Sequence, residues 1–200
     1  LIYAERFPQN CLSLILHSIF LMDQDGVDWF IKGVKTIFPE AWEQFADEFG
    51  DPNDPQLLHK YYETLTNSDD PVKQMSAAVS WYLYEGACAS LIPNYEIVTT
   101  EEQKQYALAQ ARIEAHYFHT QRLDSEDSII ENIDKIRTIP TTLIHGRYDV
   151  LSPIIAAHKL HQAWPEADYV IVSDGSHSPK EPVMRSRLIE ATENAKNIKP

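Results

Sequence analysis

Asp149 and His177 are the two residues whose types and settings could do chemistry together. Each follows a short apolar, β-branched run. Thr141 to His145 leads into Gly146-Arg-Tyr-Asp149, and Tyr169 to Val172 leads into Ser173-Asp-Gly-Ser-His177. In open parallel sheets the reacting groups gather beyond the carboxyl ends of the strands. The two residues lie 28 positions apart, the length of one strand–helix–strand unit, so adjacent strands would bring them together. A buried carboxylate there can accept the Nδ1 proton of the imidazole, fix its tautomer and stabilise the imidazolium formed when a serine is deprotonated. Singly, a Gly-x-x-Asp after a strand is an ordinary turn aspartate and a lone histidine is ordinarily structural. The paired strand contexts favour the acid–base reading.

The elements that must position this pair are strands and helices in alternation. Residues 141–145 and 169–172 read as strands, 153–164 and 181–194 as helices, and strand–helix–strand–helix order implies a parallel sheet. Near the start, Leu12 to Phe20 reads as a further buried strand, after a helix tail over Leu1–Phe7 that Pro8 ends. Between these lies a helical stretch. Val27, Phe30, Ile31 and Val34 recur at helical spacing, and Pro39-Glu-Ala-Trp42 looks like a helix start. Gly50–Pro55 is turn-rich, Gln56–Leu65 is helical, Val72–Leu91 is one long helix stopped by Pro93, and Glu101–Thr120 and Ser128–Ile136 are helices. The expected fold class is therefore α/β, with core segments at 1–23 and 131–200 and an all-helical insertion at 24–130. Three strands make a thin sheet with open edges, so the pattern predicts earlier strands upstream of Leu1.

The stretch Ile139-Pro-Thr-Thr-Leu-Ile-His-Gly-Arg-Tyr-Asp-Val150, then Leu160-His-Gln-Ala-Trp-Pro-Glu-Ala167 and Gly175-Ser-His177, resembles the acid- and histidine-bearing part of the proline iminopeptidases. Within the insertion, Asp28-Trp-Phe30, Phe38-Pro-Glu-Ala-Trp42, Tyr84-Glu-Gly-Ala87 and Ala111-Arg-Ile-Glu-Ala-His-Tyr-Phe118 are similar to that family's helical cap. The resemblance implies an α/β-hydrolase fold with a cap. It implies hydrolysis of an N-terminal proline from a peptide through an acyl-serine, with Asp149 as acid and His177 as base. The family's nucleophile elbow, Gly-x-Ser-x-Gly, and its oxyanion loop, His-Gly-Gly-Pro-Gly, do not occur among the 200 residues. A polypeptide of these residues alone is expected to be inactive, because the covalent route needs the serine, and poorly stable.

Glu85 and Glu114 match the family's substrate-amine binders. The physical logic also stands without the resemblance. An aminopeptidase must recognise a free amine at a chain end, and a pair of partly buried carboxylates does so by charge-assisted hydrogen bonds. Glu85 sits among Trp81, Tyr82, Tyr84 and Ala87, an unusual setting for an unpaired charge. The bland alternatives are a solvated helix glutamate or an ion pair with Arg112.

The remaining sequence mostly excludes. A formal charge of −13, from 30 acidic and 17 basic residues, argues against nucleic acid as a partner. Cys11 and Cys88 are read as free thiols in a reducing cytoplasm, not as a disulfide framework or zinc site. The longest apolar stretch, Cys11 to Met22, is too short to span a bilayer. His116 with His119, and His158 with His161, lack the glutamate placement of a zinc helix, so neither metal nor cofactor is expected. His145 is expected to shape the strand-end turn. Trp29, Phe30, Phe38, Trp42 and Phe45 are expected to form cap core. Two other functions remain open at this point: another capped hydrolase, such as an esterase or epoxide hydrolase, and a non-catalytic binding protein on the same scaffold.

Overall fold

The computed structural model describes residues 1–51, 54–92, 97–120 and 128–198. In chain order the elements are α1 (Ile2–Arg6), β1 (Leu14–His17), α2 (Gln24–Asp28), α3 (Pro39–Asp47), α4 (Leu57–Asn67), α5 (Pro71–Cys88) and α6 (Glu101–Thr120). They continue with α7 (Ile129–Asn132), β2 (Thr141–Gly146), α8 (Ile155–Ala163), β3 (Asp168–Val172) and α9 (Pro182–Ala195). The chain divides into two compact units, Leu1–Leu21 with Leu123–Pro200, and Met22–Arg122.

The first unit holds a three-stranded parallel sheet in the order β1-β2-β3, with Leu16 opposite Leu143 and Leu143 opposite Tyr169. Side chains alternate across it, as a pleated strand requires. Leu14, Leu16, Leu143 and Tyr169 pack with Leu160 and Trp164 of the α8 segment and with Ile133 and Ile136. Ile15, Ile144, Val170 and Val172 face the other way, onto Met184, Leu188 and Ala191 of α9. Both faces are covered, which is why these strands read as apolar runs. β1 is shorter than the expected 12–20, because Ser18 takes a left-handed φ of 49° and ends the ladder.

The second unit is helical. Asp70 caps α5, its carboxylate accepting from the backbone N–H of Val72 and Lys73, and Pro71 sits in the first turn. α6 presents fully buried Ala107, Ala111 and Ala115 one turn apart, and small side chains let two helices approach closely. Phe45 stacks between Tyr61 and Tyr84, with Trp81 edge-on, so the expected aromatic core forms around Phe30, Trp42 and Phe45, while Trp29 and Phe38 stay half-buried. The helix expected over Val27–Ile37 is not regular. α2 passes into a π turn at Trp29–Gly33 and a 3₁₀ turn at Val34–Thr36. Carbonyls of this segment find side-chain donors instead: Tyr84 Oη–H donates to Phe30 O and Trp42 Nε1–H to Ile31 O. Pro93, expected to stop the long helix, lies outside the described residues.

Candidate active site

Two loops meet at the carboxyl ends of β2 and β3. The strands are in register to their last pair, Gly146 opposite Val172. Beyond it, the Arg147 N–H donates to Val172 O at 2.8 Å and the Tyr148 N–H to Gly175 O at 3.0 Å, which stitches the acid loop to the histidine loop. The Ser176 N–H donates to the Glu181 carboxylate at 2.9 Å, fixing the histidine loop to the start of α9.

This frame delivers the pair expected from sequence. His177 Nδ1 lies 3.1 Å from each carboxylate oxygen of Asp149. A carboxylate only accepts, so Nδ1 carries the ring proton and the Nε2 lone pair is left available as a base. Asp149 Oδ1 also accepts from the Ser152 N–H at 2.8 Å. The Asp149 side chain is fully buried while that of His177 is 25% exposed, so the carboxylate is shielded and the imidazole can be reached.

His145 does more than shape a turn. Its Nδ1 accepts from the Ile19 N–H at 3.1 Å, which requires the proton on Nε2, and Nε2–H donates to Ser152 O at 2.8 Å. The neutral ring thus ties the exit of β1, the tip of β2 and the acid loop together. Burial holds its pKa below the ordinary histidine value, with the nearby Asp149 charge opposing. Ser18 adds a link from β1, donating its hydroxyl to His177 O at 3.0 Å. The adjacent His17 is also held low, first by burial and then by His177. Sequence reasoning missed Ser18 and His17; the polar break ending the first apolar run was the available signal.

Glu85 and Glu114 come together in the helical unit. Gln110 Nε2 donates to Glu85 Oε2 at 2.7 Å, and Trp81 Nε1 donates to Glu114 Oε2 at 2.7 Å. These crossed bonds, each from a donor on the other's helix, set the two carboxyl groups side by side. Arg112 is not their partner: it donates to Leu65 O and to Gln74 Oε1, each at 2.8 Å. Burial first, then the Glu114 charge, pushes Glu85 well above the usual carboxylate range. Trp81 and Gln110 were not foreseen as supports, although each stands four residues before one of the glutamates and so on the same helix face.

Among the described residues no group of three metal-ligating side chains assembles. His119 instead pairs with His59 at 3.0 Å and stacks on Tyr62. The helical unit also has a cavity of about 870 Å³ lined by Phe45, Val72, Met75, Val79 and Leu83, but it includes neither Glu85 nor Glu114. Among the described residues no helix is long and apolar enough to cross a membrane.

A parallel sheet covered on both faces, with a carboxylate–imidazole pair at adjacent strand tips, defines the α/β-hydrolase class. The sequence profile of the alpha/beta hydrolase fold matches residues 1–181, and the chain belongs to that family. The resemblance to proline iminopeptidases extends over nearly the whole chain. It is 41% identical over 200 residues to the proline iminopeptidase of Arabidopsis thaliana, covering 99% of this chain and 53% of that protein. It is 36% identical over 195 residues to the probable proline iminopeptidase of Leptolyngbya boryana (96% and 60% covered) and 34% over 197 to the proline iminopeptidase of Neisseria gonorrhoeae (97% and 62%). The chain thus spans between about half and three-fifths of the length of these curated relatives.

Proposed function

We propose that this chain supplies the acid, the base and the amine-binding carboxylates of a serine aminopeptidase that releases N-terminal proline from peptides. The observation that carries the reading is the Glu85–Glu114 pair, whose donors are the neutral groups of Gln110 and Trp81; among the described residues no lysine or arginine pairs with either. A protonated prolyl nitrogen has two N–H bonds to donate, and two carboxylates accept both. The names of the relatives point the same way.

In this reading His177 Nε2 takes the proton of the attacking serine hydroxyl as its oxygen bonds to the prolyl carbonyl carbon. Asp149 holds the resulting imidazolium. The proton then passes to the leaving amine as the peptide bond breaks. A water, deprotonated by the same nitrogen, cleaves the acyl-enzyme and frees proline. No Gly-x-Ser-x-Gly segment lies within these 200 residues, so a polypeptide of them alone is inactive.

The test is hydrolysis of prolyl-arylamide against N-acetyl-prolyl-arylamide by the complete product of the gene. Only the unblocked substrate is cleaved. Glu85→Gln or Glu114→Gln each raises KM about tenfold to a hundredfold, the worth of a hydrogen bond to a charged group. Equal cleavage of both substrates, or unchanged kinetics in both variants, defeats the assignment. Turnover by the 200-residue polypeptide would show that the base and acid act without an elbow serine.

A further inference from the structure

Two ionised carboxylates cannot hydrogen-bond to each other, because neither has a proton to give. Glu85 on α5 and Glu114 on α6 nevertheless face each other, because the donor to each carboxylate stands on the other's helix. Their other partners, the Gln110 amide and the Trp81 indole, each donate a neutral N–H and bring no positive charge. Two like charges set side by side and half-buried between α5 and α6 repel unless one is discharged.

We propose that Glu85 and Glu114 share one proton in the empty site, and that binding of a substrate ammonium expels that proton, so that amine recognition is coupled to proton release. This rests on the amine-binding reading above and adds a rule to it: the incoming cation replaces a proton. The proton bridge keeps the unliganded pair at a net charge of −1 and holds both carboxyl groups in place. An ammonium with two N–H bonds then satisfies both at once, and the bridging proton leaves to solvent. A neutral ligand cannot drive the exchange.

Among the described residues no neighbouring group supplies a competing compensation. Cys88, one turn beyond Glu85, has its thiol pushed up to about 12 by burial, Glu40 and Glu85, so it stays protonated. The Tyr84 phenol is raised by burial as well. Arg112, on the same helix as Glu114, is committed to Leu65 O and Gln74. The burial that raises Glu85 agrees with a retained proton.

Titration calorimetry of the full chain with L-prolinamide, in phosphate and in Tris, reads the proton count directly, since the two buffers differ in ionisation enthalpy. The expected result is release of close to one proton per amine bound at neutral pH. The apparent Kd should fall about tenfold per pH unit while the pair still holds its proton. Glu85→Gln should still bind, more weakly, with no proton released. Binding without proton release in the unaltered chain overturns the coupling but leaves amine recognition standing. Prolinamide that binds no better than N-acetyl-prolinamide sinks both. An infrared arm needs no ligand: at neutral pH the unaltered chain should show the C=O stretch of a protonated carboxyl that both Glu85→Gln and Glu114→Gln lack. Absence of that band overturns the shared proton.

Discussion

Gly146 faces the carbonyl oxygen of Ser176 so closely that a Cβ built on it would lie 2.2 Å away. The acid loop and the histidine loop can be stitched together only because this position carries no side chain. Both neighbours of the imagined Cβ are backbone, from Gly175 and Ser176, and cannot swing aside as a flexible side chain could. Gly146→Ala should therefore destabilise the sheet unit by about 2 kcal/mol or more, the scale of an overpacked core. Gly86, inside α5, has nothing within 4 Å of its imagined Cβ. Gly86→Ala should be neutral or stabilise by up to about 1 kcal/mol, since alanine restricts the unfolded chain and suits a helix. Urea midpoints for the two variants check the contrast; similar midpoints would refute the close-approach account.

His145 makes a pH-dependent contribution whose sign is fixed by its environment. Burial lowers its folded-state pKa, so between that value and the unfolded value of 6.5 the unfolded chain holds the extra proton. Stability is then complete above about pH 6.5 and declines as the pH falls below it. His17, also lowered, adds a slope of the same sign. His145→Leu should flatten part of this slope. It should also cost about 1–3 kcal/mol at neutral pH, because the Ile19 N–H and the Ser152 C=O lose their partner. Denaturation at neutral pH and at about pH 5.5 measures both effects, and an unchanged slope in the variant would assign the pH dependence elsewhere.

Much of this was legible in the sequence, for identifiable reasons. The strands at 141–146 and 168–172 announced themselves because both faces are covered, leaving no polar alternation to confuse them. Asp149 and His177 followed from those strand ends. The α6 bounds, Glu101 and Thr120, matched the expected helix because its alanine stripe and charged face keep one period. The π turn at Trp29–Gly33 was not legible: apolar residues three and four apart look alike whether the hydrogen bonds span four residues or five. Nor were Trp81 and Gln110, since a tryptophan and a glutamine on helices carry no mark of the carboxylate they will hold. The pairing of Glu85 with Glu114 rather than with Arg112 depended on where the guanidinium found carbonyls, a matter of tertiary packing.

Asp149→Asn separates geometry from electrostatics in the acid–base pair. The asparagine oxygen can still accept from the Ser152 N–H, so the acid loop keeps its shape. Its amide would present N–H bonds to His177 Nδ1, which stabilises the wrong tautomer and leaves no lone pair at Nε2. In the complete protein kcat should fall about 10³- to 10⁴-fold with little change in thermal stability. A loss under about tenfold would mean that Asp149 is an ordinary turn aspartate.

Trp81→Phe tests whether Glu114 is positioned or merely buried. The indole ring packs against Phe30, Phe45 and Tyr61, with centroids 5.3–5.6 Å apart, and phenylalanine keeps most of that contact. What it loses is the Nε1–H bond to Glu114 Oε2 at 2.7 Å. Without that donor the carboxylate can turn, and the proposed two-point grip on the substrate ammonium loosens. A hydrogen bond to a charged group contributes about 1.5–3 kcal/mol, so KM for prolyl-arylamide should rise roughly tenfold or more, while kcat, which the proposed mechanism assigns to Asp149 and His177, changes little. Melting temperature serves as the control for packing. An equal fall in kcat at unchanged KM would show that the indole acts on the reacting centre and not on the amine. A lowered melting temperature with unaltered kinetics would reduce Trp81 to a core residue.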